Sequence, residues 1–399
     1  MKCLVTGGAG FIGSHTVDAL LEKGHEVRIL DDLSHPAHTK NKTSYLPQGA
    51  EFMLGDVCNK ENLRKALQNV DVVFHFAAHN SYLPDFSNLF QVNCVSTALL
   101  YEIIVEDKLD IKKVIIASSQ AVYGEGKYRC PNCNRIKYPN IRSLAQLEKG
   151  EYELFCDSCN GMLQAMWTNE NRVNPQSQYA ISKYTQELTG LSLAKRYNIP
   201  TCCLRYSNVQ GARQSIFSIH SGACRIFCVS QFFDKQPSIY EDGKQKRDFV
   251  NVKDVVAANL IVLESPKADY KAFNVGGGKT YSILEFANMV SEIFSKNIKA
   301  KFTGEYRFAD TRHIFSDISH LRELGWRPQF SPEASIKEFV NWLNELKDVK
   351  NILADAEEQM RLLKILRKSK RDMTISRKKP QKLFKRTRPR IRAQVLAYN

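Results

Sequence analysis

The feature that most constrains the fold lies near the start of the chain, where residues 6–13 read TGGAGFIG after a short apolar run. The run 2–5 predicts a first β-strand, and the apolar residues after the turn recur with helical spacing. In such a unit Gly7 allows a tight turn, Gly10 lets backbone N–H groups approach a pyrophosphate, and Gly13 permits close helix–strand packing. The turn predicts a dinucleotide site in an α/β fold.

A second predicted strand, 26–30, indicates which dinucleotide is held. It ends in Asp31-Asp32, eighteen residues after Gly13. An acidic residue at about this distance holds a ribose 2′-hydroxyl. No arginine that could accommodate a 2′-phosphate stands beside the pair, so the pattern favours NAD over NADP.

Later apolar runs alternate with helical segments, as a doubly wound parallel sheet requires. Strands are predicted at 51–54, 70–76 and 112–118. Ligands of such sheets lie across the carboxyl ends of the strands. We therefore expect Asp56 to meet an adenine amino group, and Ala77-Ala78 to let the cofactor pass closely.

The catalytic signal is Tyr179 with Lys183, four residues apart on one face of a helix predicted over about 175–196. A tyrosine has an ordinary pKa near 10, so it can act as a base at neutral pH only where positive charge favours the phenolate. Lys183 and the nicotinamide of NAD+ both supply such charge. Ser119, after the strand 112–118, is suited to hydrogen-bond the same substrate hydroxyl. The alternative is an amphipathic helix with an incidental Tyr–Lys pair.

An insertion separates Ser119 from Tyr179 and carries two Cys-x-x-Cys pairs, Cys130 with Cys133 and Cys156 with Cys159. Four thiolates can surround Zn2+ tetrahedrally, which leaves no open position for catalysis. The segment 130–159 is therefore predicted to be a zinc-ribbon-like scaffold or lid beside the substrate pocket. Free thiols and a redox pair are the alternatives.

The net charge of +15 is concentrated at the carboxyl end. From Arg361 onward there are fifteen Lys or Arg residues and one acid, so the preceding residues are nearly neutral. Within 346–399, residues 346–368 predict an amphipathic helix before a basic tail. The tail is either a solvated extension or an anchor for RNA, an anionic membrane or an acidic partner.

The sequence has neither an apolar stretch of transmembrane length nor a leader pattern at residue 1, which predicts a cytoplasmic protein without a transmembrane segment. In such a protein the eleven cysteines are expected to be thiols or metal ligands.

At these residues the chain resembles the extended short-chain dehydrogenase/reductase family, specifically the nucleotide-sugar epimerases and dehydratases, over about residues 1–345. The resemblance implies a Rossmann-like domain with a smaller carboxyl-terminal substrate lobe, and a homodimer formed through helices near 88–106 and 176–196. The expected domains are an NAD-binding domain at 1–129 and 160–205, the zinc-ribbon insertion at 130–159, a substrate lobe at 206–345 of which about 250–275 returns to the first domain, and the terminal segment 346–399.

The resemblance also implies site residues. The substrate, a nucleoside diphosphate sugar, is expected to contact Asn208, Arg247, Arg307 and Asp310. Arginine offers a fixed fork of donors that matches phosphate oxygens, although Arg312 in the same loop competes with Arg307 for this role. The expected cofactor-binding residues are Gly7, Gly10, Phe11, Ile12, Gly13, Asp31, Asp32, Asp56, Val57, Phe76, Ala77, Ala78, Asn93, Tyr179 and Lys183.

The expected reaction follows from the residues after Ser119. Dehydratases and decarboxylases of this family carry acids there, whereas this chain has Gln120-Ala121. The simplest remaining chemistry is oxidation at a sugar carbon followed by reduction of the same carbon, which is epimerisation at C4. Further segments resemble the branch that interconverts dTDP-L-rhamnose and dTDP-6-deoxy-L-talose. The alternatives are a UDP-sugar epimerase or reductase, and an RNA-binding protein that retains the fold.

Overall fold

The computed structural model describes residues 1–35, 37–38, 45–217, 222–296, 298–347 and 349–370. The strands are β1 Lys2–Thr6, β2 Glu26–Asp31, β3 Ala50–Leu54, β4 Val72–His75, β5 Lys113–Ser119, β6 Tyr128–Arg129, β7 Ile136–Lys137, β8 Gln164–Ala165, β9 Thr201–Tyr206, β10 Asn208–Gln210, β11 Ser238–Ile239, β12 Lys246–Asn251, β13 Lys271–Val275, β14 Thr280–Ser282, β15 Lys301–Phe302, β16 Glu305–Arg307, β17 His313–Ile314 and β18 Leu366–Lys368. The α-helices are α1 Phe11–Glu22, α2 Lys60–Ala66, α3 Phe86–Phe90, α4 Ser96–Glu106, α5 Leu144–Glu148, α6 Gln178–Tyr197, α7 Ala223–Phe232, α8 Val252–Glu264, α9 Ile283–Ile293, α10 Ser319–Glu323, α11 Pro332–Glu345 and α12 Leu353–Leu362.

The main sheet has seven parallel strands in the order β13-β9-β5-β4-β1-β2-β3. The strand order reverses between β1 and β4, which makes the carboxyl ends of these two strands the expected ligand crevice. This architecture confirms the predicted Rossmann-like fold. The first five strands lie within two residues of their predicted bounds.

Alternating side chains of the main sheet fill two apolar layers. On β5, Ile115 and Ala117 pack on the side of α1 and α8, whereas Val114 and Ile116 pack on the side of α2, α4 and α6. Because both faces are covered by helices, the strand is almost continuously apolar rather than alternating with polar residues. Each valine or isoleucine among them contributes about 1.5–3 kcal/mol when fully buried.

The second lobe packs helices α7, α9 and α11 against a small sheet in which β12 pairs with β10, β14 and β17. Its core is aromatic, with the rings of Phe249 and Phe286 4.2 Å apart. After this sheet the chain returns through α8 to β13, which pairs with β9 at the edge of the main sheet. Because α8 begins directly after Asn251, the return holds the carboxyl end of β12 at the main sheet, while Arg247 lies near the opposite end of that strand.

The cysteine-rich insertion forms a three-stranded sheet in the order β7-β6-β8. Each Cys-x-x-Cys pair is followed by an asparagine with positive φ, Asn134 at 56° and Asn160 at 56°. Asparagine adopts this left-handed conformation more readily than most residues. The two halves of the insertion therefore make the same local turn.

The prediction of a single helix over 346–368 is wrong. Helix α12 covers only Leu353–Leu362, and the chain then forms β18, antiparallel to β16. Lys364 has φ 56°, a left-handed conformation that ends the helix. The free edge of β16 then satisfies backbone groups that a longer helix would have bonded internally. The basic residues of 371–399 lie outside the described residues.

The expectation that no apolar stretch reaches transmembrane length is wrong for one helical run among the described residues, because Phe86–Glu106 is long and apolar enough to cross a membrane by length and composition. Half of its most apolar stretch is buried inside the fold. It includes a π turn at Gln91–Val95, and it packs on α6. A core helix of a globular domain has the same composition, so this run is weak evidence for a membrane span.

Candidate active site and metal centre

The glycine turn lies at the carboxyl end of β1, in the ligand crevice. Gly7 has φ 66°, and a Cβ there would lie 2.8 Å from the Ala77 nitrogen. A Cβ on Gly13 would lie 2.2 Å from the Gly7 carbonyl oxygen. Helix α1 begins directly after Gly10, so its first N–H groups are available to an anion at the mouth of the turn. The turn therefore fits a pyrophosphate.

Asp31 stands at the end of β2, beside the turn. Its carboxylate accepts hydrogen bonds from the backbone N–H of Ala9 at 3.0 Å and of Leu33 at 2.9 Å. His38 Nε2 lies 3.3 Å from the same carboxylate. Asp32, in contrast, is exposed and accepts from the Ser34 amide. Of the two acids, Asp31 is thus the one that the fold aims at the glycine turn.

The other predicted cofactor residues lie on neighbouring loops. Asp56 and Val57 follow β3, and Phe76, Ala77 and Ala78 follow β4. Asn93 is buried, where its side chain accepts from the His79 amide and donates to Ser182 Oγ. The structure therefore brings these residues to one edge of the main sheet.

A cavity of about 650 Å³ opens at this edge, between the two lobes. Phe11, Ile12, Ser119 and Tyr179 line it on the side of the main sheet. This volume lies within the roughly 300–1,000 Å³ that is usual for small-molecule sites. The predicted cofactor turn and catalytic residues thus share one cavity.

Lys183 lies beneath the cavity on α6. Its Nζ donates to the Ala117 carbonyl oxygen at 2.7 Å and to Gln186 Oε1 at 2.8 Å, and burial lowers its pKa to about 8. Burial raises the pKa of Tyr179 to about 12, opposed by a side-chain hydrogen bond with Ser119. In the protein alone Tyr179 is therefore a phenol at neutral pH, and added positive charge is needed to make it a base.

The four predicted substrate residues all line the opposite side of the cavity. Arg247 donates to the carbonyl oxygens of Thr311 at 2.6 Å and Arg312 at 3.1 Å. Arg307 Nε donates to Asp310 at 2.8 Å, and its guanidinium stacks on the rings of Tyr82 and Tyr240. Asn208 Nδ2 lies 3.4 Å from the Asp248 carbonyl oxygen.

Arg312 cannot compete with Arg307 for the substrate. Its side chain is fully buried and bonds to Glu153 Oε1 at 2.6 Å, to Asp242 Oδ1 at 2.7 Å and to Glu241 Oε2 at 3.0 Å. Glu153 belongs to the insertion, whereas the other two acids belong to the second lobe. Arg312 therefore fastens the insertion to the substrate lobe.

The cavity wall also contains polar residues that sequence reasoning missed. Six glutamines line it, and four of them have a side-chain carbonyl oxygen without a hydrogen-bond partner among the described residues. They are Gln120, Gln210, Gln214 and Gln245. A ligand with hydroxyl or N–H groups would satisfy these acceptors. Glutamine has no motif of its own, so only Gln120, next to Ser119, had a sequence signal.

Among the described residues that line the cavity, Asp310 is the only carboxylate, and Arg307 already pairs with it. The space around Ser119 and Tyr179 therefore offers a hydroxyl, a phenol and amides, but no free acid from the described part of the chain. Such a set can abstract or return a proton at a hydroxyl. It contains no second acid for eliminating water.

The four insertion cysteines form one cluster, in which all four Sγ atoms lie within 4.8 Å of one another. The Sγ atoms of Cys130 and Cys159 are 3.3 Å apart, and those of Cys133 and Cys156 are 3.8 Å apart. A tetrahedral zinc with Zn–S bonds of about 2.3 Å requires sulfurs about 3.8 Å apart. A hydrogen bond from the Cys133 amide lowers the pKa of Cys130 to about 6, which favours a thiolate. The cluster fits a four-coordinate metal.

The family model described as the NAD dependent epimerase/dehydratase family matches residues 3–144 and 157–276. A dTDP-L-rhamnose 4-epimerase of Burkholderia thailandensis is 31% identical over 360 residues, which is 88% of this chain and 97% of that protein. A putative UDP-glucose 4-epimerase of Methanocaldococcus jannaschii is 33% identical over 346 residues, covering 85% and 97%.

Solved structures agree with the sequence matches. The UDP-glucose 4-epimerase of Thermotoga maritima with UDP-glucose superposes with a TM-score of 0.71 at 29% identity, covering 86% of this chain and 99% of that one. The UDP-glucuronic acid 4-epimerase of Bacillus cereus, in complex with UDP-glucuronic acid and NAD, gives 0.71 at 26% identity, covering 86% and 99%. This chain belongs to the NAD-dependent epimerase/dehydratase family of nucleotide-sugar enzymes.

Proposed function

We propose that the protein is a nucleotide-sugar 4-epimerase that uses NAD as a retained cofactor and acts on dTDP-L-rhamnose, giving dTDP-6-deoxy-L-talose. The observation that carries the reaction type is the cavity that joins Ser119 and Tyr179 to the substrate arginines without a free carboxylate among its described lining residues. The dTDP-L-rhamnose 4-epimerase relative supports the choice of substrate.

The cofactor would be held by the glycine turn and by Asp31, with Asp56 at the adenine and Ala77 beside the path of the dinucleotide. When bound, NAD+ accepts a hydride from the sugar carbon and later returns it. Tyr179 takes the proton of the C4 hydroxyl through its phenolate oxygen. Ser119 hydrogen-bonds the same oxygen and holds it as it becomes a carbonyl.

Lys183 acts on Tyr179 through charge. Because the pKa of Lys183 is about 8, most of it is protonated at neutral pH, and it lies one helical turn from Tyr179. In the proposed mechanism this charge, together with that of the nicotinamide ring when NAD+ is bound, would favour the phenolate. After the 4-keto sugar turns over, Tyr179 returns the proton to the C4 oxygen. The chain thus cycles one proton and needs no external acid.

The nucleotide end of the substrate is assigned to the second lobe. Arg247 and Arg307 would each present guanidinium N–H groups to the diphosphate, and Asn208 and Asp310 would complete the contacts.

Gln120 replaces the acid that elimination of water would need next to Ser119. Its unpartnered carbonyl oxygen is a ready acceptor for a sugar hydroxyl.

A UDP-sugar epimerase is the second candidate, because UDP-sugar 4-epimerases are among the matched proteins. Purified enzyme incubated with dTDP-L-rhamnose, UDP-glucose and UDP-N-acetylglucosamine, with products identified by NMR, separates the two. The proposal expects a 4-epimer from dTDP-L-rhamnose at a kcat/KM at least about tenfold above either UDP-sugar, and none from Tyr179→Phe. Release of free NADH or of a keto sugar as the final product would refute epimerisation.

We propose further that the Cys130, Cys133, Cys156 and Cys159 cluster holds structural zinc in an insertion at 130–159. The fit of the four sulfurs to a tetrahedral ion supports this assignment.

A homodimer through α4 and α6 is also proposed, because Ile181 and Leu188 on α6 are 42% and 53% exposed.

A further inference from the structure

The segment α12–β18 and the residues that follow it, 353–370, form part of the cavity wall. Lys364, Ile365 and Arg367 line the cavity together with Arg307. The family match ends at residue 276, so this wall lies outside the matched region. Its position raises the question of which part of a ligand it faces.

The segment is fixed in place rather than loosely attached. Strand β18 pairs with β16 so that Leu366 lies opposite Arg307, and the Leu366 side chain is buried. Ser369 donates from both its amide and its hydroxyl to the Gly304 carbonyl oxygen, at 2.9 and 3.0 Å. Arg361 forms a two-bond contact with Glu305, at 2.6 and 3.2 Å. These contacts hold the segment 353–370 against β16, the strand that carries Arg307, for which a diphosphate contact is proposed.

Two cations of the segment face the cavity without a carboxylate partner in the described part of the chain. Arg367 Nε donates to the Lys364 carbonyl oxygen at 2.9 Å, which leaves its two terminal nitrogens to a ligand. The Lys364 side chain is exposed. The nearby acid Glu357 is engaged, since it accepts from Arg361 at 3.0 Å and from the Tyr240 hydroxyl at 3.4 Å. This corner of the cavity is therefore suited to an anion.

The location of Lys364 and Arg367 indicates which anion they bind. Ser119 and Tyr179 come from the main sheet side, whereas α12 and β18 pack on β16 in the second lobe. The cations therefore belong to the segment that pairs with β16, the strand of Arg307, and not to the main sheet that carries the reacting groups. We infer that Lys364 and Arg367 bind phosphate oxygens of the nucleoside diphosphate, so that the carboxyl-terminal segment is a wall of the nucleotide subsite. This inference rests on the proposed nucleotide-sugar substrate.

The test measures nucleotide binding by titration calorimetry with UDP, dTDP and UMP. Arg367→Gln and Lys364→Gln keep chain length and polarity but remove the charge. Lys368→Gln is the matched control, because Lys368 is exposed on the same strand and does not line the cavity. We expect Kd for UDP and dTDP to rise about tenfold in the Arg367 variant and further in the double variant, with UMP less affected. The control stays within about twofold of the wild type.

A second readout separates charge from structure. Loss of a phosphate-binding cation reduces the steepness with which Kd rises with salt concentration, whereas a loosened wall alone leaves that steepness unchanged. Retained NAD and an unchanged Tm show that the variants are folded. If the wild type binds UDP or dTDP but Arg367→Gln behaves like Lys368→Gln, the inference is wrong. If the wild type binds neither nucleotide, the proposed function itself fails.

Discussion

Arg142, in the cysteine-rich insertion, donates from Nη2 to the carbonyl oxygen of Asp310 at 2.7 Å. Its Nη1 bonds to Glu241 at 2.8 Å and to the Tyr152 carbonyl oxygen at 3.1 Å. The insertion therefore holds the loop that follows Arg307. The insertion also reaches the cavity itself, because Ile141, next to Arg142, lines it together with Ser119 and Tyr179.

Arg142→Met is expected to raise KM for the nucleotide sugar about tenfold and to leave kcat within about threefold, because the loss of one anchor displaces the Arg307 loop but not Tyr179. Its buried partner Glu241 still has Arg312, yet we expect a loss of about 3 kcal/mol in the free energy of unfolding. Steady-state kinetics at a temperature where both proteins are folded measures the split. Arg129→Met, which removes an exposed arginine from β6, next to the insertion, is the control and should leave KM unchanged. A fall in kcat alone would contradict the assignment.

Tyr179→Phe is expected to lower kcat by about 10²–10⁴-fold, because the base that takes the C4 hydroxyl proton is lost. Retained NAD and the Kd for UDP should be unchanged, which absorbance and calorimetry measure. Tyr197→Phe on the same helix is the matched control, since Tyr197 is 43% exposed. Equal activity of the two variants would remove Tyr179 from the mechanism.

Cys156→Ser is expected to abolish zinc retention, whereas the wild type carries about one equivalent per chain by inductively coupled plasma mass spectrometry. Cys58→Ser, outside the cluster, should retain the metal. Because the insertion anchors the Arg307 loop, metal loss should also raise KM for the nucleotide sugar. If KM and Tm are unchanged after the metal is lost, the cluster is not structural.

The buried side chain of His75 is expected to make the protein less stable at acid pH. Burial and the charge of Lys183 lower the pKa of His75 to about 3, from 6.5 for an exposed imidazole. Between these values the unfolded chain binds a proton that the folded protein does not. The free energy of unfolding therefore decreases as the pH is lowered, by up to about 1.4 kcal/mol per pH unit. Above pH 6.5 this contribution to the pH dependence disappears.

His75→Gln should reduce this pH dependence of the free energy of unfolding, because glutamine does not titrate and can still form hydrogen bonds with Thr6 and Thr97. Urea unfolding at pH 7, 6 and 5 measures the slopes. The wild type is expected to lose more stability between pH 6 and 5 than the variant. Parallel slopes would show that His75 is protonated in the folded state.

Residues 6–13 and the apolar runs were sufficient to predict the parallel sheet, because strand and helix periodicities are local properties of the chain. The cluster of four cysteines was also predictable, since two short-range spacings define it. The helix predicted over 346–368 failed for a long-range reason. Whether Leu366 continues a helix depends on the free edge of β16, some sixty residues earlier, which periodicity does not report.

The same distinction applies to the site. Tyr179 and Lys183 share a helical face, so their spacing alone placed them together. The burial of Arg312 by acids from two other segments, and the contact of Arg142 with Asp310, depend on how the insertion docks on the second lobe. Such contacts join residues more than sixty positions apart and leave no local pattern.

In the proposed mechanism one hydride leaves C4 of the sugar and returns to the same carbon on its other face. The direct measurement incubates the enzyme with dTDP-L-rhamnose deuterated at C4, in ordinary water, and reads the product by NMR and mass spectrometry. We expect the product dTDP-6-deoxy-L-talose to retain the deuterium at C4. A companion reaction of unlabelled sugar in D2O should give no deuterium at C3 or C5. Loss of the C4 deuterium to solvent, or solvent deuterium at C3 or C5, would contradict the mechanism.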